Sequence, residues 1–226
     1  MNNLIPQNQN KFIESIFEND LKDKNKYFEI PKHSNKSLLP KNKNLLKSIE
    51  NKALNLFKKQ KYNELHKFLI NNIDNFSNNL TLLNLLGISQ YKTKNTQQAF
   101  NTFKNILKFY PHNFDALNSA SIILIDEKKW DEALIYLKEA IKLQPQNSSA
   151  LNNLGLVYAS KKKYNLSIKN FNKAIKIDNN FDAKRNLINV QSVELIEAGN
   201  YKKAEKILLK IIEENEKREK KYRRIQ

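Results

Sequence analysis

Apolar and polar positions alternate along most of this chain with a helical period, apolar residues returning after three or four places. Residues 151–175, LNNLGLVYASKKKYNLSIKNFNKAI, are representative, yet Gly155 sits inside the apolar stretch. A glycine within a helix costs about 1 kcal/mol relative to alanine, so its place needs a reason. Gly87 lies 68 residues earlier, twice 34. Laid down in steps of 34, the chain keeps one register. Tyr62, Trp130 and Tyr164 share a column that Thr96 completes. Three residues on stand Leu65, Ala99, Ala133 and Ser167, then Leu69, Phe103, Leu137 and Phe171, then Asn72, Ile106, Ala140 and Ala174. Pro111 and Pro145 are also 34 apart, with Asn179 in the third copy. A fifth copy follows at 37 rather than 34, through Tyr201, Ala204, Leu208 and Ile211, and Gly199 falls at its turn between two helices. The column of Gly155 reads Ala53, Gly87, Ser121, Gly155 and Ser192, small throughout. It predicts a helix crossing where two backbones approach, with Phe103, Leu137 and Phe171 filling the gaps between units.

These motifs resemble the tetratricopeptide repeat, a helix-turn-helix unit with Leu-Gly, Tyr, Ala, Phe, Ala and Pro at fixed offsets. LNNLGLVY with YNLSIKNFNKAI, LNLLGISQY with AFNTFKNILKFYP, and LNSASIIL with WDEALIYLKEAIKLQP carry the likeness. Two weaker copies hold Ala53 and Ser192 in place of the glycine. The resemblance implies an all-α fold: a right-handed superhelix of about five stacked repeats after an N-terminal extension. The repeat array is expected over 44–218, with units near 46–79, 80–113, 114–147, 148–181 and 185–218. One unit cannot bury its apolar face alone; stacked neighbours bury a continuous core.

The extension, residues 1–43, holds Pro6, Pro31 and Pro40 and reads as mostly irregular. Within it, NKFIESIFENDLKD sets Phe12, Ile13, Ile16, Phe17 and Leu21 at helical spacing, which predicts a short amphipathic helix that caps the first repeat or docks a partner. A basic tail, residues 219–226, follows the last helix; it reads as a solvated helix end suited to the C-terminal dipole.

Composition then narrows the picture. There is no cysteine, so disulfides and thiolate metal sites are excluded. No apolar run approaches the roughly 18 residues of a membrane span, and MNNLIPQNQN lacks the pattern of a secretory signal. A soluble cytoplasmic protein without membrane contact is expected. The net charge of +17 comes from 36 Lys and 4 Arg beside 35 Asn. Both abundant residues have AT-rich codons, which points to base bias. A nucleic-acid binder would draw more on arginine, whose planar fork suits phosphate and guanine, so nucleic acid is disfavoured as a partner.

No catalytic constellation is visible. His33, His66 and His112 are scattered without metal-ligand spacing, and no phosphate loop, nucleophile elbow or dinucleotide fingerprint occurs. The acidic cluster of Asp126, Glu127, Asp131 and Glu132 flanks a turn and is expected to be solvated. No cofactor and no metal are expected. In the family the chain resembles, the first helix of each unit lines a concave groove. Three residues before the small column stand Asn84, Asn118, Asn152 and Asn189, and one residue after it Ile88, Ile122, Leu156 and Val193. These rows are expected to form a solvent-accessible wall. An amide both donates and accepts, so such a row can bond the backbone of an extended peptide. The implied function is a non-enzymatic scaffold for a protein or peptide segment. The runner-up is the recognition half of a bacterial glycosyltransferase or sulfotransferase, its catalytic domain expected elsewhere because nothing after 218 would hold one; an RNA-binding repeat protein comes third.

Overall fold

The computed structural model describes residues 43–76 and 78–209. The amphipathic stretch through Phe12 and Leu21, Ile211 and the basic tail lie outside the described residues. Within them the structure is all-helical: α1 (Lys43–Lys58), α2 (Tyr62–Ile70), α3 (Leu80–Lys92), α4 (Thr96–Phe109), α5 (Phe114–Asp126), α6 (Trp130–Leu143), α7 (Ser148–Ser160), α8 (Tyr164–Asp178) and α9 (Phe181–Glu197). A tenth helix, α10, covers 201–209, and a 3-10 turn, Ile73–Asn75, follows α2. Odd-numbered helices are the first of each repeat and even-numbered ones the second. The chain divides into two compact units, residues 1–111 and 112–226.

Local chemistry explains the boundaries. Asn79, Asn113, Asn147 and Asn180 cap α3, α5, α7 and α9; each side chain accepts from the backbone N–H three residues on, at 2.8–3.0 Å. Such a cap satisfies one of the orphan donors at a helix start. Inside each repeat, the turn between the two helices needs one left-handed residue. Gln60, Lys94, Lys128 and Lys162 take it with φ of 55–67°, and Gly199 with 75°. Gly199 therefore stands where the sequence placed it, while its four counterparts are residues for which that conformation is strained.

In the first unit α2 packs on α1 and α3, and α4 on α3. The core comprises Ala53, Leu65, Leu69, Leu82, Phe103 and Ile106, all essentially inaccessible. In the second unit the pairs α5/α6 and α7/α8 pack in the same manner, α9 lies on α8, and the first helices of successive repeats also touch. The small column lies at each pair's centre. A Cβ built on Gly87 would fall 2.6 Å from Phe103 Cζ, and one on Gly155 2.4 Å from Phe171 Cε1. Both distances are far inside van der Waals contact. The glycines thus seat the aromatic rings of their own repeat's second helix, where the sequence reading had those rings filling space between units. Backbone approach contributes as well: Ser167 Oγ donates to the Gly155 carbonyl at 2.8 Å.

Candidate functional site

The two side-chain rows proposed for the groove occupy the first helices α3, α5, α7 and α9, and the structure treats their members differently. In the second unit Asn118 is half-buried, and its Oδ1 accepts from Asn153 Nδ2 at 3.4 Å. One repeat further on, Asn152 Oδ1 accepts from Asn186 Nδ2 at 2.9 Å. These amides tie the first helix of one repeat to the first helix of the next. Asn152 is only 8% exposed, so it is committed to the stack and is not an open wall residue. Asn189 is exposed. In the first unit Asn84 is likewise 8% exposed, and its Oδ1 is enclosed without a hydrogen-bond partner. The expectation that all four amides face solvent therefore fails at Asn84 and Asn152. The reason is packing: on a first helix, this column turns toward the neighbouring repeat as much as toward the face.

The aliphatic row is graded too. Ile88, Ile122 and Leu156 are half-buried and Val193 is exposed. Leu156 packs against the cluster of Leu151, Phe171, Ala174, Ala183 and Val190, so much of its surface lies between α7 and α9. What the second unit offers to solvent along its first helices is accordingly Asn118 with Ile122, the edge of Leu156, and Asn189 with Val193. The chemistry of that face is amide and aliphatic, able to exchange backbone hydrogen bonds and to cover apolar side chains.

The titratable groups sit elsewhere. His66 is half-buried beside Thr93, and burial holds its pKa below the ordinary histidine value. Of the acidic cluster, Glu127 pairs with Lys129 at 2.7 Å and Asp131 with Lys161 at 2.6 Å, a solvated arrangement as expected. Lys162 Nζ and Tyr164 Oη both donate to Glu197, at 2.8 and 2.9 Å, clipping the turn of one repeat to the end of α9. The hydrogen bond from Lys162 holds the Glu197 carboxyl below its ordinary range. No group of three or more acidic or histidine side chains among the described residues is arranged to hold a metal ion. No helix among them is long and apolar enough to cross a membrane.

Two recurrent patterns carry information that the sequence reading passed over. The capping asparagines 79, 113 and 147 repeat at the same 34-residue step, which absorbs part of the asparagine excess into structure. Small residue and second-helix apolar residue are also matched in size at a fixed distance of 16: Ala53 with Leu69, Gly87 with Phe103, Ser121 with Leu137, Gly155 with Phe171, Ser192 with Leu208.

Paired antiparallel helices, repeated with a left-handed turn in each and a small residue at each crossing, define an all-α helical-repeat protein. Family models agree on the kind. Models described as tetratricopeptide repeat match residues 148–181 and 85–113, and one described as TPR repeat matches 123–162. The chain is a tetratricopeptide-repeat protein. Among solved structures, MamA (residue 41 to the end) of Desulfovibrio magneticus RS-1 is similar at 21% identity and a TM-score of 0.61, covering 74% of this chain and 93% of that one. A thermophilic TPR protein of Thermus thermophilus is similar at 15% identity and a TM-score of 0.59, covering 74% and 90%. A tetratricopeptide repeat protein of Parabacteroides merdae is similar at 19% identity and 0.60, covering 74% and 66%. No curated protein matches.

Proposed function

We propose that this chain is a non-enzymatic scaffold that holds a protein or peptide segment along the first helices of its repeats. One observation carries the reading: Asn118, Ile122, Asn189 and Val193 leave amide and aliphatic surface open on α5 and α9, beside amides that fix the repeat spacing. The contact set is the row pair Asn84, Asn118, Asn152, Asn189 with Ile88, Ile122, Leu156 and Val193, in two roles. Asn118 and Asn189 touch the bound segment directly, while Asn152 ties α7 to α9 through Asn186, and Asn84 is the enclosed member of the row. An extended segment gains backbone hydrogen bonds from the amides and covers its apolar side chains on the aliphatic row, as recognition by preformed helical repeats requires.

The test is a pull-down from the native organism followed by titration of what it yields. Each lost amide contact is worth roughly 0.5–1.5 kcal/mol, so Asn118→Ala with Asn189→Ala should weaken binding about tenfold or more, at about 1.4 kcal/mol per decade. Circular dichroism controls for folding. Unchanged affinity in a folded double variant removes the amide row from the binding face.

A further inference from the structure

The turns inside the repeats carry different charge chemistry in the two units. In the second unit acids pair with lysines of these turns. Glu127 meets Lys129 at 2.7 Å, Asp131 meets Lys161 at 2.6 Å, and Glu197 meets Lys162 at 2.8 Å. At 34 residues before Asp126, Glu127 and Asp131 the first unit has Lys92, Thr93 and Gln97; at 68 it has Lys58, Lys59 and Asn63. The acids are gone, and half of their places hold lysine. The two turns of the first unit adjoin: Thr93 Oγ1 lies 3.5 Å from His66 Nδ1, and Lys92 Nζ 6.0 Å from the Tyr62 ring centroid. Lys58, Lys59, Lys61, Lys92 and Lys94 are all exposed there. Glu64 pairs with Lys61 at 2.8 Å, whereas Lys58, Lys59 and Lys94 pair with no acid among the described residues. The C-termini of α1 and α3 present about half a negative charge each, too little to balance five ammoniums. Base bias acts on the whole chain and does not make this contrast. The first unit's described residues hold 11 Lys against Glu50, Glu64 and Asp74, the second's 14 Lys and Arg185 against 11 Asp or Glu.

We propose that this edge of the first unit docks an acidic peptide segment, a stretch of Asp and Glu in a partner protein. The residues favour carboxylates over a nucleic-acid strand. No Arg occurs among the first unit's described residues, so nothing there offers the planar fork that suits phosphate and guanine. Single strands also stack their bases on open ring faces. Tyr62 and Tyr91 are half-buried, and Lys92 Nζ stands 6.0 and 5.7 Å from their centroids. Ammoniums on flexible stems are point charges that follow carboxylates spaced unevenly along an extended chain. The proposal stands on the first unit alone and is independent of the groove reading, whose open residues lie on α5 and α9.

The test is titration of the full-length protein into a dye-labelled peptide of about ten glutamates at low salt, where surface charges are least screened. Lys58→Glu with Lys59→Glu and Lys94→Glu should weaken binding about tenfold or more, and added salt should weaken binding by the parent. Lys138→Glu with Lys169→Glu and Lys173→Glu changes the net charge equally, at exposed positions of α6 and α8, and should cost less than about threefold. Lys58→Gln with Lys59→Gln and Lys94→Gln introduces no new charge and should still weaken binding about threefold or more, which decides the matter if circular dichroism shows the glutamate variant misfolded. No binding by the parent, equal losses in the two charge-reversed variants, or unchanged affinity in the glutamine variant would each overturn the proposal. So would a thymidine strand of about ten nucleotides that binds the parent more tightly than the peptide and loses affinity through the same three lysines.

Discussion

The repeats α5/α6 and α7/α8 cross at the same place with different side chains. In α7/α8 the first helix gives up its side chain entirely at Gly155, and the fully buried ring of Phe171 occupies the vacated volume. In α5/α6 Ser121 is buried, its hydroxyl turned back onto the Asn118 carbonyl, and the smaller Leu137 stands opposite. The interior tolerates neither gap nor overlap at the scale of a methylene. The difference teaches that volume at the crossing is conserved for the pair, not for either column alone. The helix propensity lost at glycine, about 1 kcal/mol, is offset by burying a phenyl ring in place of an isobutyl group.

The largest break in this comparison is Gly155→Leu. A Cβ alone falls 2.4 Å from Phe171 Cε1, and the ring is enclosed on all sides. Overpacking of this kind costs typically about 1–3 kcal/mol and more when the backbone must move, so at least 3 kcal/mol is expected for leucine. Gly155→Ala is the sharper version: the propensity gain and the steric loss oppose each other, and the steric term should win, lowering the melting temperature. A melting temperature unchanged or raised in the alanine variant would disprove the seating of the ring by Gly155.

The comparison is sharpened by exchanging one solution for the other. Leu137→Phe should cost about 1–3 kcal/mol against an intact Ser121, while Ser121→Gly with Leu137→Phe should recover most of that loss. The coupling between the two sites, measured by chemical denaturation in a double-mutant cycle, should exceed about 0.5 kcal/mol. Additive effects would mean that the two positions pack independently.

The crossing was legible in the sequence because its signal resides in single residues: glycines 68 apart, aromatic rings in register, and small side chains in one column. The rows assigned to the groove were only half legible. Asn152 and Asn189 hold the same column, yet one is buried and the other exposed, because α9 packs over the first while no described helix covers the second. Periodicity reports a position on a helix, and exposure depends on the neighbour. The left-handed turn residues were legible only at Gly199. Lys94, Lys128 and Lys162 give no compositional sign of their backbone conformation.

That contrast between identical columns makes the next prediction. Asn152→Ala removes the acceptor of Asn186 Nδ2 at a buried position, a loss of about 1 kcal/mol. Asn189→Ala removes an exposed amide and should stay within about 0.5 kcal/mol of the parent. Denaturant midpoints of the two variants decide it: equal midpoints would show that the amide contact between α7 and α9 contributes nothing to stability.

The smallest effect concerns the turns, where the strained repeats can be compared with the relaxed one. Lys128 has φ of 58°, in the same place as Gly199 at 75°. A left-handed conformation costs a side-chain-bearing residue about 1–2 kcal/mol. Glycine avoids that cost but loses more backbone entropy on folding, by about 0.5–1 kcal/mol. The balance favours Lys128→Gly by about 0.5 kcal/mol, and Lys94→Gly, with φ of 67°, by a similar amount. Lys162 is unsuitable for the comparison, because its ammonium also pairs with Glu197 at 2.8 Å. For a chain of this size such a gain raises the melting temperature by roughly 1–2 °C, within reach of calorimetry on the single variants and clearer in the double. A double variant that melts below the parent would show that the entropic cost exceeds the relieved strain, and that lysine at these turns is the more stable choice.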